Sequence, residues 1–311
     1  MKIVYLDAWA LGDTDLEPLE CLGQLAAYDS TEPGELAERL AGAEVIITNK
    51  VAIDGDVLAL APDCGLVVAS ATGTDHIDAE ACAAHGAVVR NVADYATESV
   101  AQYTLAAALE LTVRLRARHR FVVSGEYEAR GLWTQPRPYW RQLGGTWGVI
   151  GLGAIGRRVG ELARAFECET VFFSASGSRE AESGWRQVGL DELLATSRVV
   201  SIHAPGVPRY RGLLDADRIA RLRPKSLLLS VGRGGIVDEA AVASALAREA
   251  LAGAAFDVFG EEPPARESPL LDPRLADRVL LSPHMAWTSE QARRNLVEGI
   301  AERIADYAGA K

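Results

Sequence analysis

Three residues that could act on a carbonyl compound follow successive predicted strands in the second half of the chain: Arg233, Glu262 and His284. An arginine can bind a carboxylate through two parallel hydrogen bonds and can polarise a carbonyl group. A histidine can deliver a proton near neutral pH. A neighbouring glutamate can orient the imidazole and favour its protonated form. Together these groups are what the reduction of a carbonyl group beside a carboxylate requires.

A glycine motif precedes these residues and indicates where a cofactor would bind. Gly151, Gly153 and Gly156 have the spacing G-x-G-x-x-G, after the apolar run Thr146–Ile150 and at the start of the amphipathic run Ile155–Phe166. The first glycine permits a tight turn, the second lets the backbone approach a pyrophosphate, and the third lets the helix pack on the strand. The helix N-terminus favours phosphate groups. The motif therefore predicts a dinucleotide site.

Each candidate residue also has a structural interpretation. Arg233 could hydrogen-bond a surface turn, Glu262 could be solvated beside Glu261, and His284 could be a core histidine. Singly, each is as readily structural as catalytic, but three such groups at consecutive strand ends beside a dinucleotide motif favour an active site. His203 ends another predicted strand, and we expect it to shape the cofactor site rather than to take part in the chemistry.

The elements that must position these groups alternate between strand and helix patterns, which predicts parallel α/β sheets. The predicted strands are Lys2–Leu6, Glu44–Thr48, Leu66–Ser70, Ala87–Asn91, Thr146–Ile150, Thr170–Ser174, Val199–His203, Ser226–Val231, Ala254–Asp257 and Val279–Leu281. One long helix is predicted from about 98 to 123, and a last helix over 289–307. Residues 125–143, which include Trp140, are predicted to form a packed loop, with exposed aromatics at a subunit contact as the alternative. The final helix returns to the first domain, so we predict two domains, residues 1–97 plus 286–311 and residues 98–285.

Composition excludes several classes of protein. The 311 residues carry a net charge of −11, which argues against nucleic-acid or anionic-membrane partners. The basic cluster over 114–120 is typical of a helix C-terminus. No apolar run reaches the ~18 residues of a membrane span, and Met1 leads directly into a strand. Four scattered cysteines predict reduced thiols and no metal site, so we expect a cytoplasmic protein.

The motifs, in their order along the chain, resemble those of the D-isomer-specific 2-hydroxyacid dehydrogenases. The segments that carry the resemblance are 71–78 (ATGTDHID), 95–101 (YATESVA), 151–156 (GLGAIG), 231–239 (VGRGGIVDE), 257–263 (DVFGEEP) and 282–284 (SPH). Segments 48–51 (TNKV) and 284–287 (HMAW) are most similar to glycerate dehydrogenase and hydroxypyruvate reductase members. The resemblance implies a Rossmann doubly wound parallel sheet inserted in a smaller flavodoxin-like α/β substrate domain.

The resemblance also implies a role for individual residues. Arg233 would bind the substrate carboxylate and carbonyl, Glu262 would pair with the histidine, and His284 would be the general acid in reduction. It places Thr97, Ala154, Ile155, Val231 and Asp257 near the cofactor. With the residues that the sequence itself indicates, the predicted cofactor-binding set is Thr97, Gly151, Gly153, Ala154, Ile155, Gly156, Ser174, Arg179, His203, Val231 and Asp257. The implied substrate-binding residues are Lys50, Thr72, Gly73 and Trp287.

One position departs from the pattern of NAD-specific members, which have an acidic residue at the end of the second strand to bind the ribose hydroxyls. Here that residue is Ser174, so its hydroxyl and Arg179 could receive a 2′-phosphate. We therefore favour NADP(H), with NAD(H) as the alternative. The predicted function is an NAD(P)-dependent 2-oxoacid reductase, with hydroxypyruvate or glyoxylate as first substrates and a homodimer as the expected assembly. The alternative is an NAD(P)H-sensing scaffold of the corepressor type on the same fold.

Overall fold

A computed structural model of the protein describes residues 1–134, 142–174 and 184–309. The chain forms two compact units. Unit 1 consists of Met1–Ser99 together with Trp287–Lys311, and unit 2 consists of Val100–Ala286. The chain therefore leaves unit 1, completes unit 2, and returns to unit 1 for its last helix.

The sheet of unit 1 has five parallel strands. They are β1 (Lys2–Tyr5), β2 (Gln24–Ala27), β3 (Val45–Thr48), β4 (Leu66–Ala69) and β5 (Val88–Asn91), in the order β2-β1-β3-β4-β5. This order is the flavodoxin-like one that the resemblance implied. The sequence patterns missed β2 because it is a short edge strand with no buried residue, and its two alanines have low strand propensity.

Helices cover the unit 1 sheet and lead into unit 2. The first seven are α1 (Glu17–Glu20), α2 (Leu36–Leu40), α3 (Gly55–Ala59), α4 (Ala79–His85), α5 (Thr97–Val113), α6 (Leu115–Val123) and α7 (Glu126–Arg130). The prediction of one helix over 98–123 was wrong, because Arg114 adopts a left-handed conformation (φ 59°) that separates α5 from α6. The predicted loop over 125–143 was wrong where α7 forms, and Trp140 lies outside the described residues.

The sheet of unit 2 has seven strands, all parallel. They are β6 (Gly145–Ile150), β7 (Cys168–Phe173), β8 (Arg186–Gln187), β9 (Val199–Ile202), β10 (Leu227–Ser230), β11 (Gly253–Phe256) and β12 (Val279–Leu281), in the order β12-β11-β10-β9-β6-β7-β8. The chain runs outward from β6 to β8 and then returns to build β9 to β12 on the other side. The predicted doubly wound fold is confirmed, with one short edge strand, β8, more than expected.

The remaining helices connect the strands of unit 2 and close the chain. They are α8 (Ala154–Ala165), α9 (Leu190–Thr196), α10 (Ala216–Ala220), α11 (Glu239–Ala247) and α12 (Glu290–Gly309). α12 belongs to unit 1, where Leu296, Ile300 and Ile304 are buried in one apolar cluster with residues of β1, β3 and β4. Among the described residues, no helix combines the length and the apolar character that crossing a membrane would need.

A buried hydrogen bond joins two strands at the centre of unit 2. The indole Nε1 of Trp147 on β6 donates to the hydroxyl of Ser201 on β9 at 2.9 Å, and both side chains are fully buried. A buried tryptophan N–H needs such a partner because it cannot bond to water.

Replacing Ser201 by Ala should lower the free energy of unfolding by about 1–3 kcal/mol, since the indole N–H would stay buried without its acceptor. Urea unfolding followed by circular dichroism measures this loss. Ser244→Ala is the matched control, because Ser244 is exposed on α11, and its effect should stay within about 0.5 kcal/mol. Equal stability of the two variants would contradict the interpretation.

Candidate active site

The parallel order of the unit 2 sheet brings the predicted site residues to one edge. In a parallel sheet all strand carboxyl ends face the same side, and ligands bind there. Read across the sheet from β7 through β6, β9, β10 and β11 to β12, the residues at or just beyond the strand ends are Ser174, Gly151, His203, Arg233, Asp257 and His284. The site is thus a row of loops on neighbouring strands.

In the turn after β6, two of the three glycines lie so close to neighbouring backbone that a larger residue would clash. Gly151 has φ 94°, and a Cβ there would lie 2.9 Å from the backbone nitrogen of Ala204. A Cβ on Gly156 would lie 2.1 Å from the carbonyl oxygen of Gly151. Gly153 differs, because nothing among the described atoms lies within 4 Å of its Cβ position. The first and third glycines therefore let the chain pack, and the middle one opens space in front of α8.

Several polar atoms within each unit, taken separately, fit the binding of a dinucleotide. Ala154 and Ile155 lie in the first turn of α8. The helix itself supplies no carbonyl acceptor for the N–H groups of its first turn, so these groups can donate to a pyrophosphate. Both ring nitrogens of His203 are buried and find no partner among the described residues. In unit 1, the buried hydroxyl of Thr97 likewise has none within the described part of the chain. Such orphaned polar atoms are expected where a ligand supplies the partners.

Burial also sets the charge of His203. It lowers the pKa of the imidazole from its usual value to about 3, because the charged form would lose its hydration. His203 is therefore neutral at physiological pH and can offer one N–H donor and one acceptor to a ligand. Val231 and Ser174 are also buried at this edge, and Arg179 lies outside the described residues.

Arg233 lies in a turn that packs against its neighbours through glycines. A Cβ on Gly206 would lie 3.1 Å from Cγ of Arg233, and a Cβ on Gly234 would lie 1.6 Å from the carbonyl oxygen of Phe259. The guanidinium donates to the carbonyl of Gly232 at 3.0 Å. The close approach at Gly234 places the Arg233 turn directly beside the loop that ends in Glu262.

Glu262 and His284 form a direct pair. Nδ1 of His284 lies 2.8 Å from Oε2 of Glu262, and the two side chains are 24% and 30% exposed. The other carboxylate oxygen of Glu262 accepts from the backbone N–H of Phe259 at 3.1 Å. The glutamate is thus fixed at one end by its own loop and holds the imidazole at the other. This arrangement leaves Nε2 of His284 as the ring atom for exchange with a substrate.

Asp257 fastens the turn that carries His284. Its Oδ1 accepts from the hydroxyl of Ser282 at 2.6 Å and from the N–H of Met285 at 2.9 Å, and its Oδ2 accepts from the N–H of Ala286 at 2.9 Å. Burial raises the pKa of this carboxyl above its usual value, and the three hydrogen-bond donors offset only part of that rise. His284 has φ 53°, a conformation that costs a non-glycine residue roughly 1–2 kcal/mol. The bonds to Asp257 hold the turn in that conformation.

The four predicted substrate-binding residues all lie in unit 1. Thr72 and Gly73 follow β4, where the hydroxyl of Thr72 donates to the carbonyl of Val92 at 3.3 Å. Trp287 packs edge-on against Tyr95, with ring centroids 5.9 Å apart. Lys50 is an exposed residue of the turn after β3.

Sequence reasoning missed three side chains that hold turns carrying predicted site residues: Asp7 in unit 1, and Tyr103 and Ser282 in unit 2. Asp7 accepts the backbone N–H groups of residues 49–51 at 2.7, 2.5 and 2.9 Å and so fixes the turn that carries Lys50. In unit 2, the hydroxyls of Tyr103 and Ser282 hydrogen-bond to each other. Ser282 lies inside a recognised motif, but Asp7 and Tyr103 lie far along the chain from the residues they serve, so no local pattern indicated them.

Comparison with known proteins decides the family. Residues 105–286 match the family model described as D-isomer specific 2-hydroxyacid dehydrogenase, NAD binding domain. The chain belongs to the D-isomer-specific 2-hydroxyacid dehydrogenase family. It is 30% identical to a glycerate dehydrogenase of Methylorubrum extorquens, over 100% of this chain and 97% of that one. It is also 30% identical to a hydroxypyruvate reductase of Blautia hydrogenotrophica, over 99% and 97%.

Solved structures agree with this membership. A putative D-isomer specific 2-hydroxyacid dehydrogenase from Polaromonas superposes with a TM-score of 0.87 at 26% identity, over 100% of this chain and 97% of that chain. As a member of this dehydrogenase family the protein is an oxidoreductase, and its unit 2 contains the NAD(P)-binding domain.

The burial of His203 gives a pH prediction. Between about pH 6.5 and pH 3 the unfolded state binds a proton that the folded state does not, so stability falls as the pH falls through this window. Relative to pH 8, this residue should cost about 2 kcal/mol at pH 5. His203→Asn should flatten the dependence by that amount in urea unfolding at both pH values. His119→Asn, at an exposed position of α6, should keep the full slope, and an unchanged slope in His203→Asn would refute the assignment.

Proposed function

We propose that the protein is an NAD(P)-dependent reductase of small 2-oxoacids that yields the D-2-hydroxy acid. The observation that carries the proposal is the His284–Glu262 pair at 2.8 Å. Glu262 follows β11 and His284 follows β12, and β11 lies between β12 and β10, the strand that precedes Arg233. A glycine turn shaped for a pyrophosphate lies at the same sheet edge. The family membership supports the same reaction class.

Each group then has one task. Arg233 binds the carboxylate of the substrate and draws electron density from its carbonyl oxygen, because a fixed guanidinium can meet both. A reduced nicotinamide, when bound, supplies the hydride. His284 delivers the proton from Nε2 to the developing alkoxide while Glu262 stabilises the imidazolium through Nδ1. In the oxidative direction His284 accepts the proton instead.

Hydroxypyruvate and glyoxylate are the proposed first substrates. The two relatives at 30% identity are named for glycerate and hydroxypyruvate. The roles of Lys50, Thr72, Gly73 and Trp287 in binding the acid stay a prediction from the resemblance. The test is a screen of 2-oxoacids with NADPH and with NADH. Turnover of one of these acids supports the proposal, whereas tight NADH binding without turnover of any acid would favour the scaffold alternative.

His284→Ala should lower kcat by roughly 10²–10⁴-fold, because the alkoxide would lose its general acid. Arg233→Ala should raise KM for the oxoacid steeply as well as lower kcat, because the substrate carboxylate would lose its cation. Steady-state kinetics on the best substrate of the screen measures both effects. His119→Ala and Arg221→Ala are matched controls at exposed positions, and near-wild-type turnover in either site variant would sink the assignment.

We further propose that NADPH is preferred over NADH. Ser174 follows β7 directly, at the position where NAD-specific members have an acidic residue. A serine there has no negative charge to repel a 2′-phosphate. Arg179 is the proposed partner of that phosphate. Both cofactors remain compatible with the domain, and the preference rests on this one position.

Ser174→Asp should lower the ratio of kcat/KM with NADPH to that with NADH by at least about tenfold, because the new carboxylate would repel the 2′-phosphate and accept from the ribose hydroxyls. Ser174→Asn, a neutral side chain of the same size, is the control and should keep the preference of the wild type. Circular dichroism checks that both variants fold. A ratio that moves equally in the two variants would contradict an electrostatic cause.

The proposed assembly is a homodimer in the cytoplasm. Large apolar side chains are exposed on α6 and beyond α7, among them Val123 at 65% and Trp133 at 94%. Several large exposed apolar side chains in one stretch of the chain favour a subunit contact there.

A further inference from the structure

A chain of hydroxyl groups connects the long helix α5 to the turn that carries His284. Tyr103, on the second turn of α5, hydrogen-bonds through its phenol to the hydroxyl of Ser282. Ser282 donates to Oδ1 of Asp257 at 2.6 Å, and its carbonyl accepts the backbone N–H of His284 at 3.1 Å. All four residues belong to unit 2.

The direction of these bonds follows from the chemistry of each group. The carboxylate of Asp257 can only accept, so the single proton of the Ser282 hydroxyl points to it. The phenol of Tyr103 must then donate to the Ser282 oxygen. Burial raises the pKa of Tyr103 and so keeps that donor proton in place at physiological pH. The chain therefore has one order, from tyrosine to serine to aspartate.

This chain of hydroxyl groups meets a turn that contains a residue with a left-handed backbone. His284 is one of the non-glycine residues with a left-handed backbone, at φ 53°. Asp257 holds the backbone on the far side of it through Met285 and Ala286, whereas the hydroxyl chain holds Ser282 on the near side. Ser282 is also held by its backbone N–H, which donates to the carbonyl of Phe256 at 3.0 Å. Removing the Tyr103 hydroxyl would therefore take away the one contact that reaches the near side of the turn from α5.

We propose that Tyr103 is a positioning residue for His284, acting through Ser282 on the turn that aims the imidazole. The inference rests on the proposed function, in which His284 supplies the proton. A misplacement of about 1 Å at a catalytic group can cost up to about 10²-fold in rate. Tyr103 touches neither substrate nor cofactor in this scheme, so its effect falls on kcat rather than on binding of the cofactor.

The kinetic test uses Tyr103→Phe, which removes only the hydroxyl. We expect kcat to fall about 5- to 20-fold, whereas KM and Kd for the cofactor stay within about twofold. Ser282→Ala should lower kcat by a similar factor, and Ser282→Thr, which keeps a hydroxyl, should restore most of the rate. In the double variant, Tyr103→Phe should add little to Ser282→Ala, because the two hydroxyls act through one contact.

Thr104→Val is the matched control. Thr104 is the next residue on α5, is fully buried, and donates its hydroxyl to the carbonyl of Val100 within the helix at 2.7 Å. Its replacement removes a buried hydroxyl from the same helix without touching Ser282, so kcat should stay within about twofold. An equal loss in Thr104→Val, full activity in Tyr103→Phe, or additive effects in the double variant would overturn the proposal.

A second readout does not depend on activity. The chain has five histidines, so the ring signals of His284 can be assigned in NMR spectra by their loss in His284→Ala. Tyr103→Phe should shift these signals, and Thr104→Val should leave them in place. If no 2-oxoacid is reduced by the unaltered protein, the proposed function fails while the spectra still decide the coupling. Unshifted His284 signals in Tyr103→Phe would refute the coupling itself.

Discussion

The parallel pairing of the strands in unit 2 is the constraint on which the candidate site depends. Because each strand runs the same way, each following loop begins at the same edge. The glycine turn, His203, Arg233, Glu262 and His284 are far apart in sequence, yet they belong to loops of strands that are neighbours in the sheet. No single loop forms the site, so its geometry depends on the strand order of the sheet beneath it.

Glycines make the loops of that edge fit together. At Gly156 and Gly234 a Cβ would lie 2.1 and 1.6 Å from a backbone carbonyl oxygen. A backbone atom cannot turn away as the end of a flexible side chain can, so only glycine fits at these two positions. These two positions set how closely α8 packs on its strand and how closely the Arg233 turn packs on the loop of Glu262. Gly153 has no such neighbour among the described atoms, so there the small residue leaves room for a ligand. One residue type thus serves packing and binding within the same motif.

Much of the fold and of the site follows from the sequence, because buried parallel strands and glycine motifs leave local patterns. Features that depend on distant partners do not. The edge strand β2 is short, alanine-rich and without a buried residue. The break at Arg114 depends on one left-handed residue within a helical pattern. The hydroxyl of Tyr103 meets Ser282 only because α5 packs beside the end of β12 in unit 2. Such contacts become visible only when the chain is folded.

Two histidines at the same sheet edge illustrate how environment separates chemical roles. His203 keeps both ring nitrogens buried, with a pKa near 3, so it stays neutral and can only donate or accept hydrogen bonds. His284 is partly exposed, and its Nδ1 lies 2.8 Å from a carboxylate oxygen of Glu262. The same side chain is thus suited to holding a ligand on β9 and to transferring a proton on β12. What differs is access to water and the presence of one carboxylate, which the loop after β11 supplies beside His284 and not beside His203.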